Sequence, residues 1–225
     1  MALLDGPRLA PRSGAADALV VLLHGYGADG RDLIDIGAAF ANLLPGAAFV
    51  APHAPEPCAE EPVGRQWFPL TFRDPHELAR GTQAAWPTLR AFLDSELTAL
   101  RLPASRLALL GFSQGAMMAL HAATAQGGAR PAAVVGCSGL WAQLQNPPEA
   151  IDRPPPLLLV HGAQDELIPV SAMFASAQAL AAAGAPVEWH MCPDLGHGID
   201  EAGLFHAGAF LAEALGRRPR RASQE

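Results

Sequence analysis

Leu107-Ala108-Leu109-Leu110-Gly111-Phe112-Ser113-Gln114-Gly115-Ala116-Met117-Met118-Ala119-Leu120 is the stretch that decides the fold. Its apolar opening reads as a buried strand, and the run Ala116–Ala125 reads as a helix. Between them stands Gly111-Phe112-Ser113-Gln114-Gly115. A serine at so sharp a strand-to-helix turn is held in a strained conformation with its hydroxyl above the sheet. Side chains at the flanking glycines would collide with the neighbouring strand and helix. The helix beginning there also aims backbone N–H groups and a positive dipole end at developing negative charge. The competing reading is a serine that merely caps a helix.

Outward from this point, apolar runs alternate with longer amphipathic ones. Leu19–Leu23, Ala47–Val50, Arg106–Leu110, Ala132–Cys137, Pro156–Val160 and Val187–Met191 are nearly continuous in hydrophobicity, as strands buried on both faces should be. Helices are expected over Asp32–Leu44, His76–Arg101, Gln114–Gln126, Val170–Ala183 and Ile199–Leu215, with Pro87 starting, kinking or dividing the second. This β–α order predicts an α/β fold with a mostly parallel sheet and helices on both faces. One domain over residues 1–225 suffices, with 1–16 as a lead-in and 217–225 as a basic tail (Arg217, Arg218, Arg220, Arg221). Asn146–Pro156 reads as a surface loop. Pro52–Asp74 lacks periodicity yet carries Trp67, Phe68 and Phe72, which must tuck into the body or line a pocket.

A serine hydroxyl is a weak nucleophile until an oriented base takes its proton. On such a sheet the partners follow in the order acid, then histidine. Asp165 comes just after the strand Pro156–Val160, and His197 just after Val187–Met191. Both therefore stand at carboxyl ends of strands, the edge where Ser113 lies. Asp194 and Asp200 are rivals for the acid that could be solvated or cap a helix. Glu166 is expected to face solvent, His190 to sit in a strand, and His161 to be a hydrogen-bonded structural residue.

A second glycine-rich stretch, His24-Gly25-Tyr26-Gly27-Ala28-Asp29-Gly30, follows the first strong strand. Its Gly25, Gly27 and Gly30 match a dinucleotide fingerprint, which also needs an acid at the end of the next strand. That strand ends Ala51-Pro52-His53 instead. The alternative is an oxyanion hole, made from an N–H of this loop and the N–H of Gln114. An acid and a histidine in the right order favour the second reading. A nicotinamide-dependent oxidoreductase and a non-catalytic binding protein are the readings from other classes.

The 225 residues are 50% hydrophobic and 16% charged, enough for a full core and too apolar for disorder. No apolar run approaches the roughly 18–20 residues of a membrane span, and the first residues do not read as a secretory signal. A net charge of −7 argues against a nucleic-acid surface. The chain has no lysine, which removes P-loop, kinase and Schiff-base chemistry. Cys58, Cys137 and Cys192 show no metal spacing and cannot all pair internally, which fits a reducing cytoplasm. Neither a metal nor a cofactor is expected.

The motifs together resemble the phospholipase/carboxylesterase family, the small serine hydrolases that include acyl-protein thioesterases. The matching residues run from His24-Gly25-Tyr26-Gly27 through Trp67-Phe68, Gly111–Gly115 and Ser138-Gly139 to His161-Gly162, Gln164-Asp165 and Gly196-His197. The resemblance spans about Leu19 to Leu215. It implies an α/β-hydrolase fold without a separate lid domain. It also implies Ser113 as nucleophile, Asp165 as acid, His197 as base, and the backbone N–H groups of Tyr26 and Gln114 as oxyanion hole. Substrates of such families are carboxylic esters and thioesters, and homodimers are common. Pro69 stands where the protein-thioesterase branch commonly has aspartate, which favours a carboxylesterase of small esters over acyl-protein thioesterase or lysophospholipase activity. Trp67, Phe68, Leu140 and Leu167 are the candidate substrate-binding residues.

Overall fold

The computed structural model describes residues 4–58, 63–71, 74 and 76–216. Phe72 and the arginines of the basic tail therefore lie outside the described residues. The strands are β1 (Arg8–Leu9), β2 (Ala18–Leu23), β3 (Ala47–Val50), β4 (Glu56–Pro57), β5 (Arg65–Gln66), β6 (Leu107–Phe112), β7 (Ala133–Cys137), β8 (Leu157–Gly162) and β9 (Val187–Cys192). The helices are α1 (Ile34–Phe40), α2 (Glu77–Leu100), α3 (Gln114–Thr124), α4 (Val170–Ala182) and α5 (Glu201–Ala214).

Seven strands form one sheet in the order β1-β3-β2-β6-β7-β8-β9, parallel throughout except for β1, which runs antiparallel to β3. This is the α/β-hydrolase arrangement that the sequence predicts. Successive side chains of the central strands enter opposite cores. Leu19, Val21, Leu107 and Leu109 join Leu89, Met118 and Met173 beneath α2, α3 and α4. Val20, Leu22, Ala108 and Leu110 join Phe40 and Leu211 beneath α1 and α5. Burial on both faces explains why these strands show continuous rather than alternating hydrophobicity.

Three elements differ from expectation. The lead-in supplies a strand, β1, because Arg8 and Leu9 pair with Val50 and Phe49. Helix α2 runs unbroken through Pro87, whose missing N–H would have faced the carbonyl of the exposed residue Gln83 one turn earlier, on the solvent side of the helix. Strand β9 is an edge strand with Trp189 54% exposed, unlike its doubly buried neighbours.

The order of strands changes direction at β2. The chain steps from β2 to β3 on one side, then returns to place β6 on the other. The point where the strand order reverses, between β2 and β6, is the kind of place at which open α/β sheets bind ligands. The register Leu23↔Gly111 brings His24-Gly25 level with Phe112-Ser113.

Candidate active site

Ser113 has φ 53° and ψ −117°, a left-handed backbone that a side chain adopts only under strain. The glycines around it are dictated by contact. A Cβ at Gly111 would lie 2.1 Å from the Gly115 carbonyl oxygen, and one at Gly115 would lie 1.9 Å from that of Leu23. The turn is held by the Ser113 N–H, which donates to the Cys137 carbonyl at 2.9 Å. Gln114 is the first residue of α3, so its N–H has no acceptor within the helix.

Asp165 is buried in the loop after β8, and each of its oxygens is engaged. Oδ1 accepts the N–H groups of Leu167 and Ile168, both at 2.9 Å. Oδ2 lies 2.8 Å from His197 Nδ1 and 3.2 Å from His161 Nε2. Burial works against the charge on Asp165, but the Ile168 N–H, the His197 hydrogen bond and the Leu167 N–H outweigh it and hold the carboxyl below its ordinary range. The carboxylate fixes the His197 tautomer: Nδ1 carries the proton toward Oδ2, leaving Nε2 as the basic nitrogen. The Phe112 ring, adjacent to the serine, lies 5.0 Å from the His197 ring.

The loop carrying His197 is stitched to the end of β8, just before Asp165. Ala163 and Gln164 donate N–H groups to the carbonyls of Cys192 and Leu195, at 2.8 and 2.9 Å. Gly162 is needed at this junction, since a Cβ there would lie 2.2 Å from the Leu195 oxygen. From the other side, Ser138 Oγ donates to the Gly198 carbonyl at 2.8 Å. Ser138 also has a positive φ, 47°, and Gly139 beside it packs on the backbone of Ser113.

The first loop is clamped by His24, which is fully buried. Its Nε2 accepts the Ala54 N–H at 2.9 Å, so Nδ1 must be the protonated nitrogen that donates to the Gly25 carbonyl at 2.8 Å. Burial lowers its pKa and keeps the ring neutral. Gly25 presses on the Ser113 turn, where a Cβ would lie 3.3 Å from Ser113 Cβ. Each glycine of the apparent dinucleotide fingerprint therefore has another cause: Gly27 has φ 77°, and a Cβ at Gly30 would lie 1.9 Å from the Ala51 oxygen. The Asp29 carboxylate already occupies the Arg31 N–H where a phosphate would bind.

Trp67 and Phe68 are 1% and 2% exposed and sit in the core, where Trp67 Nε1 donates to the His24 carbonyl at 2.9 Å. Gln114 holds both residues from below: Oε1 accepts the Trp67 N–H at 2.8 Å, and Nε2 donates to the Phe68 carbonyl at 2.7 Å. Leu140 is half-buried beyond Gly139, and Leu167 is 61% exposed beside Asp165. Tyr26 is half-buried in the first loop. Of the rivals, Asp200 caps α5 through the Gly203 N–H at 2.7 Å, while Asp194 and Glu166 are exposed. His190 is half-buried on β9, its ring 3.9 Å from that of His206. His161 is structural as expected, donating Nε2–H to the Ile168 carbonyl at 2.8 Å, but its contact with Asp165 was not legible in the sequence. The side-chain roles of Gln114 and Ser138 were also missed. Each lies within a recognised motif, and only the backbone fold shows what its polar atoms reach.

A cavity of about 910 Å³ elsewhere, between α2, α3 and the loop 141–152, is lined by Trp86, His121 and Gln143 and by none of Ser113, Asp165 and His197. Among the described residues no group of three His, Cys, Asp or Glu side chains could hold a metal, and no helix is long and apolar enough to cross a membrane.

Comparison with known proteins agrees with this geometry. Residues 4–215 match the phospholipase/carboxylesterase family model. Esterase YpfH of Escherichia coli (strain K12) is 32% identical over 84% of this chain and 79% of its own. Acyl-protein thioesterase 1 of Gibberella zeae is 25% identical over 93% of this chain and 95% of its own. Among solved structures, esterase PE8 is 39% identical with a TM-score of 0.89, covering 95% of this chain and all of the other. With the parallel sheet, the strained serine turn and the carboxylate-bound histidine in place, the chain belongs to the phospholipase/carboxylesterase family.

Proposed function

We propose that the protein is a serine carboxylesterase that cleaves carboxylic esters of small to medium acyl chains through an acyl-enzyme on Ser113. The observation that carries this reading is the 2.8 Å contact of Asp165 with His197 at the same sheet edge as a serine of φ 53°. Family membership and the similarity to esterases YpfH and PE8 support it. In this reading His197 Nε2 takes the Ser113 proton as Oγ attacks the ester carbonyl, and the N–H groups of Tyr26 and Gln114 hold the oxyanion. Collapse of the tetrahedral intermediate breaks the ester C–O bond, and the imidazolium gives its proton to the leaving alcohol. Water then repeats the cycle and releases the acid. Asp165 orients the imidazole and stabilises its charge without itself taking the proton.

Leu140 and Leu167 flank the acyl group, while Trp67 and Phe68 support the first loop from beneath. No metal or cofactor takes part. The partner is a small-molecule ester, not a nucleic acid, and the chain works as one domain in the cytoplasm as a homodimer. All three cysteines are free and buried, which suits a reducing compartment. Thioester hydrolysis is the second reading, favoured by the acyl-protein thioesterase relative.

The test is intact mass after reaction with a fluorophosphonate, on wild type and Ser113→Ala. A single adduct on the wild type alone is expected, followed by turnover of a 4-nitrophenyl ester series that falls as the acyl chain lengthens. Absence of an adduct on both proteins overturns the assignment of Ser113. Faster turnover of long-chain thioesters than of short esters selects the second reading.

A further inference from the structure

We infer that two copies of this chain join through the outer edges of their β9 strands, antiparallel and centred on Trp189, so that the two sheets become one. The inference rests on the homodimer of the proposed function and names the surface that forms it.

The hydrogen bonding of β9 to β8 fixes which backbone groups remain for a partner. The Pro186 carbonyl accepts from the Leu157 N–H, and the Cys192 carbonyl from the Ala163 N–H. With the parallel register Leu157↔Val187 through Gly162↔Cys192, residues 188, 190 and 192 point their N–H and C=O groups inward. Val187, Trp189 and Met191 point theirs outward, and among the described residues no strand lies beyond β9. The same residues carry the apolar side chains of one face. Trp189 is 54% and Met191 38% exposed, and the Trp189 ring meets Phe174 of α4 edge-on at 5.1 Å. An open edge with uncharged outward residues and a large exposed aromatic lacks the usual protection against strand pairing.

The sequence of β9 is complementary to itself in one register. Antiparallel pairing about Trp189 sets Trp189 against its own copy and Val187 against the second copy's Met191, each as a hydrogen-bonded pair on the apolar face. Between them Glu188 falls opposite the second copy's His190, at the non-hydrogen-bonded positions where side chains approach most closely. A carboxylate meets an imidazole on both sides of the axis. The neighbouring registers are worse: shifting by two residues places either Glu188 opposite Glu188 or His190 opposite His190 on the axis, and fewer outward groups pair. A carboxylate opposite a ring that can donate an N–H, together with the avoidance of Glu188 against Glu188, therefore favours a second copy in this register.

The remaining groups agree with a second copy as occupant. On the second face of β9, His190 stands against His206 of α5, with Asp200 and Cys192 close by and Phe205 of α5 71% exposed. Phe174 of α4 and Phe205 of α5 thus flank the strand on both faces and extend the contact beyond the strand itself, toward the ~800 Å² per partner of a stable interface. The two-fold operation uses the edge once and closes, so the assembly stops at a dimer.

Sedimentation velocity of the intact protein across the micromolar range tests this, with Trp189→Arg and Glu188→Arg beside the wild type and Trp189→Cys for cross-linking. The wild type is expected to sediment as a dimer. Trp189→Arg, which sets two guanidinium groups on the axis, is expected to sediment as a monomer with unchanged ester turnover and circular dichroism. Glu188→Arg is expected to raise the dimer dissociation constant at least tenfold. Trp189→Cys is expected to form a disulfide-linked dimer on mild oxidation; the native cysteines are buried and do not compete. A monomeric wild type overturns the homodimer and the edge together. A dimer that survives both arginine substitutions and yields no Trp189→Cys cross-link overturns the edge alone.

Discussion

The proposed mechanism concentrates the reaction in the Ser113 hydroxyl, so its removal has a defined expected effect. Ser113→Ala is expected to lower kcat for an ester substrate by several orders of magnitude with little change in the unfolding midpoint, measured by steady-state kinetics and urea titration. Gly115 responds in the opposite way. A methyl group there would overlap the Leu23 carbonyl at 1.9 Å, so Gly115→Ala is expected to cost more than ~3 kcal/mol of stability in the same titration. His121 shows how a buried ring couples stability to pH. Burial lowers its pKa to about 4, against the hydrogen bond from Gln143. The unfolded chain takes up that proton near the ordinary value of about 6.5, and the folded chain resists until about 4. Its contribution is therefore complete above the higher value and is lost as pH falls through this window. Between pH 7 and 4.5 the wild type should lose about 2 kcal/mol more than His121→Gln in denaturant titrations. At this scale the sequence was informative wherever a motif fixed the backbone, as at Gly111–Gly115. It was silent on the partner of His161, because a contact with Asp165 across a buried turn leaves no periodic or compositional trace.

Among the elements, the loops define the site and the helices hold them. Gln114 lies in α3, yet both ends of its amide close on Trp67 and Phe68 in a distant loop. Gln114→Ala leaves a buried N–H and a buried carbonyl without partners and is expected to cost about 2–4 kcal/mol. Because Trp67 in turn holds the His24 carbonyl, kcat should fall at least tenfold, as steady-state assays would show. Ser138→Ala is milder. It removes the anchor of the His197 loop at Gly198, so about 1 kcal/mol and a fall in kcat with KM nearly constant are expected. The strand and helix positions were legible within a few residues because apolar runs and turn residues mark them locally. The stretch Pro52–Asp74 was not, since its β4–β5 pair is too short to show a period and Trp67 and Phe68 are held by a single side chain from α3.

For the molecule as a whole, the order of strands makes the site. The adjacency of β2 and β6 sets the loop of His24 beside that of Ser113, and the succession β6-β7-β8-β9 puts Asp165 and His197 after neighbouring strands. The sequence predicted a mostly parallel sheet from its β–α alternation but could not foresee which strands form the edges. Strand β9 was read like the others because Val187, Trp189 and Met191 satisfy the same apolar pattern, although Trp189 and Met191 are exposed at the sheet edge. β1 escaped notice because two paired residues are too few to show a period.

The backbone angle at Ser113 sets activity against stability at a single position. Alanine there removes the hydroxyl but keeps the left-handed backbone, whereas glycine removes both the hydroxyl and the strain. Ser113→Gly should therefore resist urea better than Ser113→Ala, by about 1 kcal/mol. In the proposed mechanism neither variant turns over ester, so the difference between two dead proteins measures the stability that the wild type forgoes to expose the serine hydroxyl.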